Sequence, residues 1–400
     1  MDNLLFLAHR IPFPPNKGDK IRSYHFLKYL QTEFNVYLGT FIDDPHDWQY
    51  TPQVDALCAD TCYLGLKPLP AKIKSLKGLL ADKALSLPYY QNPAMQRWVD
   101  AAINTHAIRK VLVFSSVMAQ FVQFRPDIEM VVDFVDVDSD KWRQYAEKKQ
   151  GVARWVYRRE AKYLLAYERE IASLSKTSVF VSEQEAALFK TLAPESGDKA
   201  TFVNNGVDTG YFSPYQELAS PYRADEEVLV FTGAMDYWAN IDAVIWFATE
   251  VFPLVQARYP QVKFYIVGSN PSKAVLELAV NPAITVTGRV DDVRPYVASA
   301  RLAVAPLRIA RGIQNKVLEA MAMAKAVVAT SAAMEGIPYL EWPEPLAVTV
   351  SDEAVAMAGQ LCDHLHGPIP EVTAHANREF VAARFSWQQN VHQLARLLQE

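Results

Sequence analysis

Short apolar runs recur along the chain, each followed by a stretch whose apolar residues fall at helical spacing. Leu4–Ala8, Val36–Phe41, Val111–Phe114, Met130–Val135, Ser178–Val181 and Thr201–Asn204 are strand-length and rich in β-formers. Between the first two, Ile21, Tyr24, Leu27 and Leu30 predict a helix from about Lys20 to Thr32, and another is predicted near Met118–Phe124. Near-continuous apolar strands separated by helices predict a parallel sheet covered on both faces. From Ala193 to Glu227 the periodicity gives way to Pro, Ser, Gly, Asp and Tyr, with a turn signal at Asn205-Gly206 and a linker-like run through Pro214, Pro221 and Ala224–Glu227. A second series then begins. Strands are predicted over Val228–Thr232, Lys263–Val267, Ile284–Thr287, Leu302–Pro306 and Val327–Thr330, with a helix over Asp242–Val251. The fold class is α/β, with two Rossmann-like units in tandem.

Length agrees, since 400 residues exceed the roughly 250–300 that one core serves. A net charge of −5 gives no general attraction to nucleic acid, so any phosphate chemistry must rest on local clusters. Three cysteines, Cys58, Cys62 and Cys362, make no disulfide framework, and the Cys58-x-x-x-Cys62 pair lacks the further ligands of a zinc set. No basic leader precedes Leu4, and no segment is expected to reach the roughly 18 apolar residues of a membrane span. The expectation is therefore a cytoplasmic protein. A G-x-G-x-x-G after the first strand and a Walker A loop are both absent, which removes the main support for a dehydrogenase or a P-loop enzyme.

The densest chemistry lies in Pro306–Ala322. It reads as the end of a buried strand, a basic loop, a glycine and the first turns of a helix. Helix N-termini carry free N–H groups and partial positive charge, and Arg308, Arg311 and Lys316 surround this one, which predicts a site for a phosphorylated ligand. Gly312, Lys316 and Glu319 share one helix face, whereas Ile313, Val317 and Met321 turn toward a core. A cation for phosphate beside a carboxylate for hydroxyls suggests a sugar nucleotide.

This segment resembles the donor-site signature of retaining glycosyltransferases of the GT-B fold, family-4 type. Asn205–Asp208, Phe231–Met235, Val286–Val290 and Val293–Tyr296 are similar to further family stretches, in the family's order. With the opening Pro12–Arg22 and the segment Asp133–Trp142, the chain looks most like the sugar transferases associated with exosortase (PEP-CTERM) exopolysaccharide loci. The resemblance implies two Rossmann-like domains facing across a cleft. Residues 1–214 would form the acceptor side and 215–378 the donor-binding domain, with 379–400 a helix packing back on the first. It also implies a nucleotide diphosphate sugar donor, a polysaccharide or lipid-linked acceptor, retention at the transferred sugar, and no metal or other cofactor.

The implied site follows residue by residue. Arg308 and Lys316 would meet the diphosphate and Glu319 the ribose. Gly18, Gly233, Arg289, Gly312 and Ile313 would complete the donor site, and Asp136 would orient the acceptor hydroxyl. The sequence departs from the pattern at Arg311, where the family has a glutamate; this arginine would add a third cation or meet an acidic donor sugar. Ala234 and Ala239 stand near the family's usual Arg and Lys, with Asn240 beside them.

Other residues keep two readings. Gly18, with Lys17, Lys20 and Arg22 around it, allows close backbone approach to a phosphate or is simply a turn. His25 is more readily a packed histidine than a base. Asp136, Asp138 and Asp140 would hold a metal in another fold, whereas Asp138 or Ser139 also serves as a helix cap. The basic segments 71–83 and Arg154–Arg159 fit either an anionic membrane surface or a solvated helix face. A GT-B epimerase and a sugar-nucleotide-binding module without catalysis are the alternatives to a transferase.

Overall fold

The computed structural model describes residues 1–400 apart from 16–17, 68–69, 71–74, 76–77, 79–82, 148 and 311. Contacts divide the chain into two compact units: residues 1–204 together with 390–400, and residues 205–389.

The first unit contains β1 (Asp2–Ala8), β2 (Phe34–Ile42), β3 (Asp60–Gly65), β4 (Lys110–Phe114), β5 (Glu129–Val135), β6 (Thr177–Phe180) and β7 (Ala200–Phe202). They form one parallel sheet in the order β3-β2-β1-β4-β5-β6-β7. Leu4 to Ala8 are fully buried, as a central strand covered on both faces requires. The order reverses between β1 and β4, the point where such sheets open a crevice at their carboxyl ends.

The second unit repeats the plan with β8 (Glu227–Thr232), β9 (Val262–Val267), β10 (Ile284–Gly288), β11 (Leu302–Ala305), β12 (Val327–Ala329) and β13 (Val348–Val350). Its order is β10-β9-β8-β11-β12-β13, again parallel, with the reversal between β8 and β11.

Every strand expected from the apolar runs is present. The sequence missed β3 and β13, which lie at sheet edges and are only partly buried, so their apolar pattern is diluted. The helix expected near Met118–Phe124 is a 3₁₀ segment, Ser116–Phe121. The helix expected over Asp242–Val251 begins earlier, at Trp238, and continues through a π-turn, Phe247–Val251, into Phe252–Arg258. Pro253 explains the π-turn: it lacks an N–H and its ring would clash with a regular turn below it.

By length and composition this helical run could cross a bilayer, which corrects the expectation that no segment is long and apolar enough. Here Ala243, Val244, Phe247, Val251, Phe252 and Val255 are instead core residues of the second unit.

The division between units falls at Asn204/Asn205 rather than at 214. The reason is local. Val207 donates to Phe385 O, while Arg378 donates to the carbonyls of Thr209 and Phe212, so 205–214 are tied into the second unit. Residues 379–400 are likewise not one helix: Glu371–Arg384 ends within the second unit and Trp387–Gln399 follows. In the first unit, Asn390 donates to Asn204 O and Lys110 to Leu398 O.

Candidate functional site

At the reversal point of the second sheet, the loop after β8 meets the helix Asn315–Ala322, which follows β11. Val317, Leu318, Ala320, Met321 and Ala322 bury one side of that helix, which fixes its rotation. Gln314 provides no side-chain cap, so the N-terminal turn keeps its polarity toward the carboxyl edge of the sheet.

Lys316 rises from the first turn. Its Nζ donates to Asn240 Oδ1 at 2.7 Å and lies 4.8 Å from the centre of the Phe231 ring. Among the described residues it pairs with no carboxylate. Burial lowers the Lys316 ammonium to about 8, against the opposing pull of Glu319. Burial pushes the Glu319 carboxyl up to about 7, with Lys316 acting the other way. Glu319 has no side-chain hydrogen bond among the described residues. Two ionisable groups with spare hydrogen-bonding capacity thus stand one turn apart.

Asn240 is 5% exposed and also donates from Nδ2 to Ala234 O at 2.9 Å. Gly233 makes room for it: a Cβ at Gly233 would lie 2.7 Å from Asn240 Nδ2 and 3.4 Å from Lys316 Nζ. Behind Gly233, a Cβ on Gly268 would meet the Gly233 carbonyl oxygen at 1.6 Å. The loop after β8 is therefore pressed against the loop after β9, and Met235 N donates to Ser269 O across the same seam.

The other expected donor residues are spread more widely. Arg308 donates from Nε to Asp242 Oδ2 at 3.0 Å and from a terminal nitrogen to Asp242 Oδ1; its side chain is 47% exposed. That hydrogen bond holds the guanidinium above its ordinary range, and the neutralisation leaves Arg308 a weaker phosphate ligand than its sequence position suggests. Gly312 is at φ +68°, a conformation that favours glycine. Ile313 packs against the core, and Arg289 is exposed. Arg311 lies outside the described residues.

In the first unit, Gly18 opens the helix Gly18–Leu30 and faces open space. Lys20 and Arg22 do not surround it. Both turn inward. Lys20 bonds Asp47 at 2.6 Å, and Arg22, fully buried, bonds Asp133 at 2.7 Å and Val203 O at 2.7 Å. Charges carried into a core need such partners, and these have them.

Asp136, offered as an acceptor residue, accepts from Lys141 at 2.6 Å; Asp138 shares the same ammonium at 3.2 Å, and Asp140 accepts from Arg143 at 2.7 Å. Among the described residues no three His, Cys, Asp or Glu side chains gather as a metal set. His25 is half-buried.

The sequence missed the group at the end of β1, where Arg10 bridges Asp43 and Asp19, and His9 Nε2 stands 3.4 Å from Asp19. Burial opposes ionisation of Asp19, yet the His9 hydrogen bond and the Arg10 charge hold it well below the usual carboxylate range. Burial pushes the Cys58 thiol up to about 12 and raises the Cys62 and Cys362 thiols as well, which disfavours the thiolate. The basic stretch 71–83 lies mostly outside the described residues.

Residues 226–366 match the family model described as glycosyl transferases group 1. The whole chain matches solved structures. Sucrose-phosphate synthase of Thermosynechococcus elongatus aligns with 99% of this chain and 98% of its own, at 17% identity and a TM-score of 0.70. The fold is GT-B. Anabaena HepE, in complex with UDP and glucose, covers both chains fully at 14% identity and a TM-score of 0.66. A glycosyltransferase of Rickettsia africae covers 99% and 98% at 12% identity and a TM-score of 0.66. No curated protein matches the chain. The GT-B fold thus spans the chain, and the segment that matches the group 1 model contains Lys316, Glu319 and Asn240.

Proposed function

We propose that the protein is a retaining glycosyltransferase that moves a sugar from a nucleoside diphosphate to a saccharide or lipid-linked acceptor, in exopolysaccharide assembly. One observation carries this reading: the half-buried Lys316 ammonium, which pairs with no carboxylate among the described residues, at a helix N-terminus without a side-chain cap and one turn from Glu319. HepE, bound to UDP and to UDP-glucose, supports the choice of ligand.

As the sugar departs, negative charge gathers on the diphosphate. Lys316 and the helix N–H groups meet that charge from fixed positions, which lowers the barrier without reorganisation. Glu319 accepts from the ribose hydroxyls. Arg308, half-exposed, serves as a secondary cation. In this reading the transfer is metal-independent, because cation and helix dipole supply the stabilisation; the Asp136–Asp140 group, already engaged with Lys141 and Arg143, supports it. The protein works in the cytoplasm. Arg154, Trp155 and Arg158, all exposed on the helix Gly151–Leu174, would rest on an anionic bilayer where a lipid-linked acceptor resides.

The test is release of nucleoside diphosphate from a panel of nucleotide sugars, with and without acceptor and with EDTA. Acceptor-dependent release that survives chelation supports the reading. Interconversion of the nucleotide sugar without release identifies an epimerase, and binding without turnover identifies a lapsed module.

A further inference from the structure

We infer that Asn240 is the positioning residue of the phosphate site: it fixes the Lys316 ammonium with a neutral carbonyl, so that the cation is held in place yet left uncompensated for a diphosphate. The inference rests on the donor-site reading above and adds a residue to it.

Three observations carry it. Asn240 is almost wholly buried, and both ends of its amide are engaged, Oδ1 by Lys316 and Nδ2 by the carbonyl of Ala234. The amide is therefore oriented by the backbone of the loop after β8, and its acceptor faces the ammonium. Gly233 is where that orientation would be lost, because a Cβ there would crowd Nδ2 at 2.7 Å. The partner's chemistry then matters. A carboxylate at 240 would satisfy the ammonium internally, and an incoming phosphate would have to break an ion pair. A neutral acceptor holds the nitrogen with one bond and leaves two N–H donors and the full charge for the ligand. Phe231 beneath the ammonium reinforces this arrangement, since an aromatic face attracts a cation without neutralising it. Glu319 is the charged group acting on Lys316 among the described residues, and it does so from beyond ion-pair distance.

Calorimetric titration of the full-length protein with UDP, GDP and ADP, taking the tightest as probe, tests the inference between pH 6.5 and 9.5. In the wild-type protein the affinity falls as pH rises past about 8, where Lys316 loses its proton. Asn240→Asp is nearly isosteric. It is expected to bind the diphosphate at least tenfold more weakly at pH 7.5, to bind the matching nucleoside unchanged, and to move the alkaline loss upward by about one pH unit, because an ion-paired ammonium keeps its proton longer. Asn240→Ser, which retains a neutral acceptor on a shorter arm, should lose affinity without moving that limb.

Wild-type affinity and an unmoved limb in Asn240→Asp overturn the inference. If Lys316→Ala binds as wild type, or if none of the three nucleotides binds the wild-type protein, the donor-site reading itself fails. If Lys316→Ala is impaired while Asn240→Asp is not, only the inference fails.

Discussion

The cations at the carboxyl edges of the two sheets are met in different ways. In the first unit the cations near the strand ends are matched: Arg10 by Asp43 and Asp19, Lys20 by Asp47, Arg22 by Asp133, Lys141 by Asp136 and Asp138. In the second, Arg308 is matched by Asp242, whereas Lys316, among the described residues, meets an amide and a ring face and no carboxylate. Matched charges specify packing, since removing one partner strands the other. An unmatched, half-buried cation is costly in isolation, and its natural role is to await an anion. A cation near a glycine loop therefore signals a binding site only when its partner is known to be absent.

The sharpest way to break the comparison is to unmatch the first unit. Arg22→Ala leaves Asp133 buried without its cation, and should cost about 3–5 kcal/mol in chemical denaturation. A loss below about 1 kcal/mol would show that the pair is not part of what holds the unit together. Replacing both partners, Arg22→Met with Asp133→Leu, should recover much of that loss.

Next in size is Lys316→Ala. Losing a charged hydrogen bond to developing phosphate charge should reduce turnover roughly a hundredfold, with thermal unfolding nearly unchanged. Arg308→Ala should do far less, roughly threefold to tenfold, because Asp242 already neutralises the guanidinium. An Arg308 effect as large as that of Lys316 would mean that the ligand draws Arg308 away from Asp242.

The smallest effect concerns a carboxylate whose hydrogen-bond donors, among the described residues, are neutral. Glu168, buried, accepts from the Ser139 N–H and hydroxyl; burial, then the nearby Asp138 charge, pushes it up to about 8. Its folded pKa exceeds its unfolded value of about 4.5, so the folded state holds the extra proton and stability declines as pH rises from about 4.5 to 8. Glu168→Gln should flatten the melting temperature across that window. An unchanged pH slope would assign the decline to other groups.

The strands were legible because central parallel strands are apolar on both faces, and Lys316 with Glu319 was legible from helical spacing alone. What stayed hidden depends on partners distant in sequence. Nothing near Lys20 or Arg22 announces Asp47 or Asp133, so two cations of a loop that fitted either a phosphate site or a simple turn belong to core ion pairs. Arg308 looked as free as Lys316 until Asp242, on another helix, took it up. Asn240 was visible only as the neighbour of two missing cations, and its engagement of Lys316 needed the fold. The boundary at 204 was likewise set by hydrogen bonds to the Phe385 carbonyl and from Arg378, not by composition.

Arg378 has a consequence of another kind. One guanidinium gathers the carbonyls of Thr209, Phe212 and Ala322, the last of these at the end of the helix that begins beside Lys316. In a random-mutagenesis screen for lost activity, position 378 should be hit about as often as the residues that touch ligand, although it lies at the opposite end of that helix. A map of inactivating changes would trace the anchoring of the site as well as its chemistry. Scoring the same library for protein abundance separates the two, since substitutions at 378 would lower the amount of folded protein and those at Lys316 would not.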